Sequence, residues 1–452
     1  MPQGVDNNTQ PFLIILFAAL ALSYLSFTGI TFINGKPVDM FSEVRKDIIS
    51  THQQTKTSYI DSLNKLLKNN AIVKKDSDVV TSHGLEHFLL ALNNLPKAKN
   101  KIRIAWFGDS MIEGDLVTND FRKLMQKTFG GNGVGYVGVT SPTAQFRGSI
   151  NHTFSGWKTY SFHDKPPKGL QLSMSGYTNI NNGNAKVKYT ASKEYNAFGD
   201  VRLLFSSSDY GSINVQADTF EREVFIDSIN GTGTVAIWDS TPCKKLIVDF
   251  NKTQAQYYGM YFDNGTGVYV DNFSFRGNSG IPLSEIPTTM LQKMSKDENY
   301  QLVVLNYGLN IVAHNQKNYD WYERAFKKTL AHIKQGFPNA TIVLMSVSDK
   351  SYRNNGVYET EPDIPKFVEL QKKMAQEAGI SFWNLYEAMG GKNSMKRWVE
   401  EKPRLANYDY THPNYDGAKK IATLFYDYLL AEYSAFLKQK KLQTDTLIQT
   451  NL

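Results

Sequence analysis

Apolar positions follow three different rhythms along the chain. Residues Pro11 to Ile33 read PFLIILFAALALSYLSFTGITFI and carry no charge over 23 positions. A helix needs about 20 apolar residues to span a bilayer, so this run predicts an N-terminal membrane anchor or signal segment over residues 1–34. Ala19-Leu20-Ala21 offers a poor cleavage site behind a short apolar core, which favours an uncleaved anchor. Residues 35–83 are polar, with a loose helical pattern through Ile48, Tyr59, Leu63 and Leu66, and read as a linker or stalk. Leu85, Phe88, Leu89, Leu92 and Leu95 then fall on one helix face, which Pro96 ends.

Beyond this helix, short apolar runs alternate with amphipathic stretches. Ile102–Phe107, Leu302–Leu305, Thr341–Val347 and Ile380–Leu385 read as buried strands. Phe121/Leu124/Met125/Phe129, Phe326/Leu330/Ile333, Phe367/Leu370/Met374/Ala378 and Ile421/Leu424/Phe425/Tyr428/Leu429 read as helices. Near-continuous apolar strands separated by helices predict a parallel sheet covered on both faces, with a ligand site at the carboxyl ends of its strands.

Between these parts the period changes to two. Lys186–Thr190, Val201–Phe205, Ile213–Gln216, Val224–Ile226, Val235–Trp238, Leu246–Phe250 and Tyr257–Phe262 are β-type runs separated by Asn/Gly/Ser/Asp turns. This spacing predicts an antiparallel β-sandwich, jelly-roll-like, inserted into an α/β domain. The expected organisation is therefore an α/β domain in two parts, 84–138 and 271–440, around an insert over 139–270, with a tail over 441–452.

Composition narrows the class. The chain has 452 residues, of which 41% are hydrophobic and 21% charged, which excludes a disordered or fibrous chain. A net charge of +7 is dilute over this length and forms no dense basic block, so nucleic acid is not an expected partner. The single cysteine, Cys243, excludes an internal disulfide and a Cys-based zinc site, and does not fix the compartment. No H-E-x-x-H, Walker A or dinucleotide fingerprint occurs, and no metal or organic cofactor is expected.

Four places carry candidate chemistry: Gly108-Asp109-Ser110 after the first strand, Arg276-Gly277-Asn278-Ser279-Gly280 after the insert, Asn306-Tyr307-Gly308-Leu309-Asn310 after the next strand, and Asp409-Tyr410-Thr411-His412 before the last helix. A serine hydroxyl becomes nucleophilic when a base removes its proton, and His412 suits that role near neutral pH. Asp409, three residues earlier, can accept from the imidazole and fix its tautomer. A tetrahedral oxyanion needs fixed donors, which the Ser110 N–H, the Gly280 N–H and the Asn310 amide can supply; Gly277 competes with Gly280 for that place. His314 lies near Asn310 in sequence and is a candidate cleft residue. His52, His83, His87, His152, His163 and His332 have no partner motif.

These four motifs, in this order, resemble the SGNH/GDSL hydrolase superfamily. The resemblance maps the nucleophile onto Ser110, the oxyanion residues onto Ser110, Gly280 and Asn310, and the acid–base pair onto Asp409 and His412. It implies a flavodoxin-like three-layer parallel sheet. Residues 382–398 (FWNLYEAMGGKNSMKRW), DYTHPNYDGAKKIA and the placement of the insert further resemble the bacterial peptidoglycan O-acetylesterase branch, over about residues 84–437. Members of that branch often carry His after GDS, where this chain has Met111.

The resemblance implies a serine-dependent O-acetylesterase of a cell-wall or surface glycan, anchored as a single-pass protein of the inner membrane with its body in the periplasm. Lys36, Arg45 and Lys46 after the apolar span argue by themselves for the opposite orientation. An O-acetyltransferase working with an integral-membrane acyltransferase would use the same acyl-Ser110. A non-catalytic anchored glycan-binding protein is the reading from a different class. Trp157, Tyr160, Tyr257, Tyr258 and Tyr261 of the insert are candidates for sugar stacking.

Overall fold

The computed structural model describes residues 30–33, 36–39, 80–81 and 84–450, apart from 165, 230, 240, 251–254 and 317. Residues up to Lys74 and residues from Lys75 onward form two units. In the first, β1 (Ile30–Ile33) pairs antiparallel with β2 (Lys36–Asp39). Ile30–Ile33, near the end of the expected anchor over 1–34, are thus a strand, as is part of the expected linker. The rest of the anchor segment, and most of the linker, lie outside the described residues. No described helix is long and apolar enough to cross a membrane.

The second unit opens with β3 (Val80–Thr81) and α1 (Glu86–Ala98), which buries Phe88, Leu89, Leu92 and Leu95 as the spacing predicts. Pro96 sits inside its last turn rather than ending it. Then come β4 (Lys101–Gly108), α2 (Thr118–Phe129) and β5 (Asn132–Gly138). The antiparallel part continues with β6 (Ile150–Ser161), β7 (Tyr177–Ala191), β8 (Asp200–Ser206), β9 (Gly211–Ala217), β10 (Phe220–Ile226), β11 (Gly233–Trp238), β12 (Lys245–Asp249) and β13 (Gln256–Asn264). The chain returns through β14 (Gly267–Ser274), α3 (Thr288–Asp297), β15 (Tyr300–Asn306), α4 (Asp320–Gly336), β16 (Thr341–Met345) and the hairpin β17 (Ser351–Asn354) and β18 (Val357–Thr360). It ends with α5 (Asp363–Ala378), β19 (Ser381–Trp383), α6 (Leu385–Ala388), α7 (Ser394–Glu400) and α8 (Tyr415–Thr450).

The parallel sheet runs β14-β4-β15-β16-β19, with β3 added antiparallel at the β19 edge. In chain order its parallel strands are placed 2-1-3-4-5, the flavodoxin-like arrangement, whose direction of growth reverses at β4. Seven of the eight β4 residues are buried, as a central strand covered on both faces requires.

Three boundaries differ from the sequence-based expectation. β5 already belongs to the antiparallel sheet, pairing with β13, so that part begins before residue 139. β14 belongs to the parallel sheet, beside β4, so it ends before residue 270. Hydrogen bonds join nine strands into one antiparallel sheet, because β7 and β13 each pair with several partners, and its inner side chains meet in a single core. The expected tail over 441–452 is mostly a continuation of α8, in which no Gly or Pro stops the helix after Gly417. Strand β6 escaped the sequence pattern because most of its residues are exposed or half-buried and break the period of two.

A buried ion network ties the two sheets together. The guanidinium of Arg103, on β4, donates to both carboxylate oxygens of Asp271 on β14 at 2.9 and 3.0 Å and to Asp263 on β13. Its Nε lies 3.0 Å from Glu298. Arg202 on β8 donates to Glu298 at 2.6 and 2.7 Å and to Asp263 at 3.1 Å. Burial works against the Arg103 charge, but Asp263, Asp271 and Glu298 hold its pKa well above the usual value. Replacing Arg103 with Leu leaves buried carboxylates undercompensated and should destabilise the protein by about 3–5 kcal/mol. Urea unfolding of the two proteins measures this; a difference below about 1 kcal/mol would show that the network contributes nothing to stability.

Candidate active site

Strand register brings the motifs together. Gly108 of β4 lies opposite Ser274 of β14 and Asn306 of β15, so three parallel strands end in one row. Ser110, Gly277 and Asn310 each follow within a few residues of that row. The fourth motif arrives on the loop before α8, whose Ala418, Ile421, Ala422 and Phe425 are buried in the same core.

Ser110 Oγ lies 2.9 Å from His412 Nε2, and His412 Nδ1 lies 2.8 Å from Asp409 Oδ2. The other Asp409 oxygen accepts from the backbone N–H groups of Thr411 at 2.9 Å and His412 at 3.0 Å. The Asp-x-x-His segment is therefore a self-bonded turn that presents carboxylate and imidazole to each other. Partial burial pushes the Asp409 carboxyl up, but those N–H groups and the imidazole outweigh it and leave its pKa below the usual value. A hairpin supports the turn: Tyr410 stacks on Tyr358 at 3.5 Å, and its carbonyl accepts from the Ser351 N–H at 2.9 Å.

The donor side differs from the expectation at Gly280. Its N–H donates inward to Asn278 Oδ1 at 2.7 Å. Its φ is +87°, and a Cβ there would meet the Phe326 ring at 2.5 Å, so this glycine serves packing behind the site. Gly277, at φ +73°, follows the cavity-lining Arg276 and has open space where a Cβ would stand. Among the described residues the N–H groups of Ser110 and Gly277 make no hydrogen bond. Asn310 donates its amide to Asp109 Oδ2 at 2.8 Å and more weakly to the Asn278 carbonyl at 3.2 Å.

Asp109 is the functional neighbour that the sequence reading passed over, although it stands beside the nucleophile in the first motif. It is 1% exposed, and its Oδ1 accepts from the Met111 N–H at 3.0 Å. Burial raises its pKa to about 6, against the opposing pull of the Met111 N–H and His412. Met111 itself is buried, with Ser348 Oγ 4.0 Å from its sulfur.

The cavity above Ser110 measures about 350 Å³. Besides Ser110, Asp409 and His412 it is lined by Glu113, Arg276 and Asn407, and by Thr143 and Phe146 from the connection between β5 and β6. His314 is paired with Glu361 at 3.0 Å and does not line it. His152 is buried under Tyr189, His332 bonds the Ile286 carbonyl, and His52 and His83 lie outside the described residues. Of the aromatics considered for sugar stacking, Tyr257, Tyr258 and Tyr261 are fully buried, and Trp157 packs edge-on against Phe250 and Tyr257. Tyr160 stays half-buried.

Residues 236–420 match the model of the GDSL-like lipase/acylhydrolase family. Over these residues the chain is similar to that family, and the match takes in the Asn310 and Asp409/His412 motifs. Among solved structures, one described as a peptidoglycan O-acetylesterase in action superposes with a TM-score of 0.64 at 19% identity, covering 79% of this chain and 99% of that one. A family two carbohydrate esterase from Clostridium thermocellum matches with a TM-score of 0.27 at 11% identity, covering 64% of this chain and 98% of that one. No curated protein matches the chain in sequence. The family match and the likeness of fold support a serine esterase or acyltransferase by class.

The raised carboxyl in this GDSL-like site has a measurable consequence. The native state binds the Asp109 proton more tightly than the unfolded chain does. Its stabilising contribution is full below the unfolded value of 3.8 and is lost as pH rises through the folded value of about 6. Asp109→Asn should remove this fall, which is on the order of 2–3 kcal/mol. Parallel stability–pH profiles of wild type and variant that keep a constant gap from pH 4 to pH 7 would show that Asp109 titrates normally.

Proposed function

We propose that this protein is a serine-dependent O-acetylesterase of an acetylated cell-wall or surface glycan, acting through an acetyl-Ser110 intermediate. The observation that carries it is the continuous Ser110–His412–Asp409 hydrogen-bond relay, 2.9 and 2.8 Å, at the floor of an open cavity. The likeness of fold to a peptidoglycan O-acetylesterase supports the substrate class.

The chemistry follows from the atoms. His412 Nε2 takes the Ser110 proton as Oγ attacks the acetyl carbonyl, and Asp409 stabilises the imidazolium. The carbonyl oxygen becomes an oxyanion, received by the N–H groups of Ser110 and Gly277 and by the Asn310 amide, which exchanges its weaker contact with the Asn278 carbonyl for the charged oxygen. Collapse breaks the ester bond, and His412 returns the proton to the departing sugar alkoxide. Water then attacks the acetyl carbonyl and gives its proton to His412; the bond from the acetyl carbon to Ser110 Oγ breaks, His412 passes that proton to Ser110 Oγ, and acetate leaves. A sugar hydroxyl in place of that water would make the same enzyme a transferase.

The uncharged segment beginning at Pro11 supports an anchor in the inner membrane, and the glycan substrate supports a periplasmic body. Deleting residues 1–34 should convert a carbonate-resistant membrane protein into a soluble one; extraction of the full chain by carbonate would remove the anchor from this reading.

Ser110→Ala should abolish acetate release from an O-acetylated glycan while leaving the thermal unfolding midpoint in place. Asn310→Ala should lower kcat by about 10²–10³ with little change in KM, as expected for a donor used mainly in the transition state. Acetate release by Ser110→Ala at near wild-type rate would refute the assignment. Acetylated acceptor sugar in place of free acetate would make transfer, not hydrolysis, the reaction.

A further inference from the structure

The mouth of the catalytic cavity is lined by two aromatic rings that the described residues leave exposed. Phe146 is 60% exposed and Tyr415 is 71% exposed, yet both line the cavity that holds Ser110 and His412. They come from two segments far apart in the chain. Phe146 ends a single turn, Ala144–Phe146, whose N–H bonds the Thr143 carbonyl at 2.9 Å. That turn rests against Gly114, just after the nucleophile, where a Cβ would stand 3.5 Å from the Phe146 carbonyl. Tyr415 opens α8, three residues after His412, on a turn fixed by Asn414, which accepts from the Gly417 N–H at 3.0 Å and donates to the Arg404 carbonyl at 2.6 Å.

Resting on the glycan reading above, we propose that Phe146 and Tyr415 form the subsite for the pyranose ring that bears the acetyl group, and so determine specificity for sugar esters. Large apolar rings left in water at a cavity mouth mark a surface that a ligand covers. An acetyl methyl is too small to cover two exposed rings, whereas a pyranose presents flat C–H faces of matching size. Its hydroxyls, which radiate from the ring edge, meet polar groups at the same rim: Glu113, Thr143, Arg276 and Asn407. Arg276 and Glu113 are paired, with the guanidinium Nε 2.8 Å from the carboxylate, so this rim offers donors and acceptors together without a large net charge. Phe146 lies on the connection from β5 to β6, which places a specificity element of the antiparallel part directly at the nucleophile.

The test compares methyl glucopyranoside acetylated at O6 with ethyl acetate and ethyl hexanoate, as substrates of wild type, Phe146→Ala, Tyr415→Ala and Tyr415→Phe. The ratio of kcat/KM for the sugar ester to that for ethyl acetate should fall at least tenfold in each Ala variant, mainly through KM. Tyr415→Phe should keep the wild-type ratio, because the ring and not its hydroxyl does the stacking. An unchanged ratio in both Ala variants overturns the subsite, as do equal losses on the two acetates. A selective loss on ethyl hexanoate also overturns it, assigning the rings to the acyl chain. If wild type hydrolyses ethyl acetate but no acetylated sugar, the glycan reading itself fails, and the subsite with it; cleavage of the sugar ester by wild type separates the two failures.

Discussion

Arg103 is the point on which the architecture turns. Its side chain leaves the central strand of the parallel sheet and meets carboxylates from three other elements: Asp271 on the neighbouring strand, Asp263 on the last strand of the antiparallel sheet, and Glu298 after α3. A buried guanidinium is tolerable only when its charge and its donors are matched, and here the matching partners come from both sheets. The antiparallel part is therefore not a loosely tethered module. Tyr136, on β5, adds its N–H to Asp271 at 2.7 Å, and Tyr300, on β15, adds its hydroxyl at 2.6 Å, so the same carboxylate also fixes where the chain leaves the parallel sheet and where it comes back.

That fixed relation reaches the chemistry through strand register. With β14, β4 and β15 held side by side, Gly108, Ser274 and Asn306 end in one row, and the loops that follow converge without further arrangement. This is the switch point of a 2-1-3-4-5 sheet, where neighbouring loops part and leave a crevice. Behind the crevice the groups are bonded to one another, Asp109 to Asn310, Asn310 to Asn278 and Asn278 to Gly280, with Asp109, Asn278 and Gly280 buried and Asn310 exposed. In front, Asp409 and His412 are half-exposed and held by a turn of their own. A rigid donor wall and a more open acid–base pair face each other across Ser110.

The sequence by itself determined the elements and the order of the reactive residues. Continuous apolar runs located β4, β15 and β16, and period-3.6 patterns located α1, α2, α4 and α5, because the burial of each is written in local spacing. The relay of Ser110, Asp409 and His412 was legible for a similar reason: a serine at a strand end and an Asp-x-x-His turn are short-range features, and the parallel-sheet rule supplies the meeting place.

Only the tertiary structure decided which sheet each boundary strand joins and which of two glycines keeps an unbonded N–H among the described residues. β5 and β14 are β-type runs wherever they go; their partners, β13 and β4, lie far away in sequence, and pairing energy has no local signature. Gly277 and Gly280 are equivalent as letters. They separate because the Gly280 N–H is consumed by Asn278 and its missing Cβ makes room for Phe326, while Gly277 keeps its N–H and its open side. The same holds for the insert's aromatics. Tyr257, Tyr258 and Tyr261 vanish into the interior while Phe146 stays in water, because exposure depends on which face of a distant strand a ring meets, and that is set by packing across the chain rather than by the residue itself.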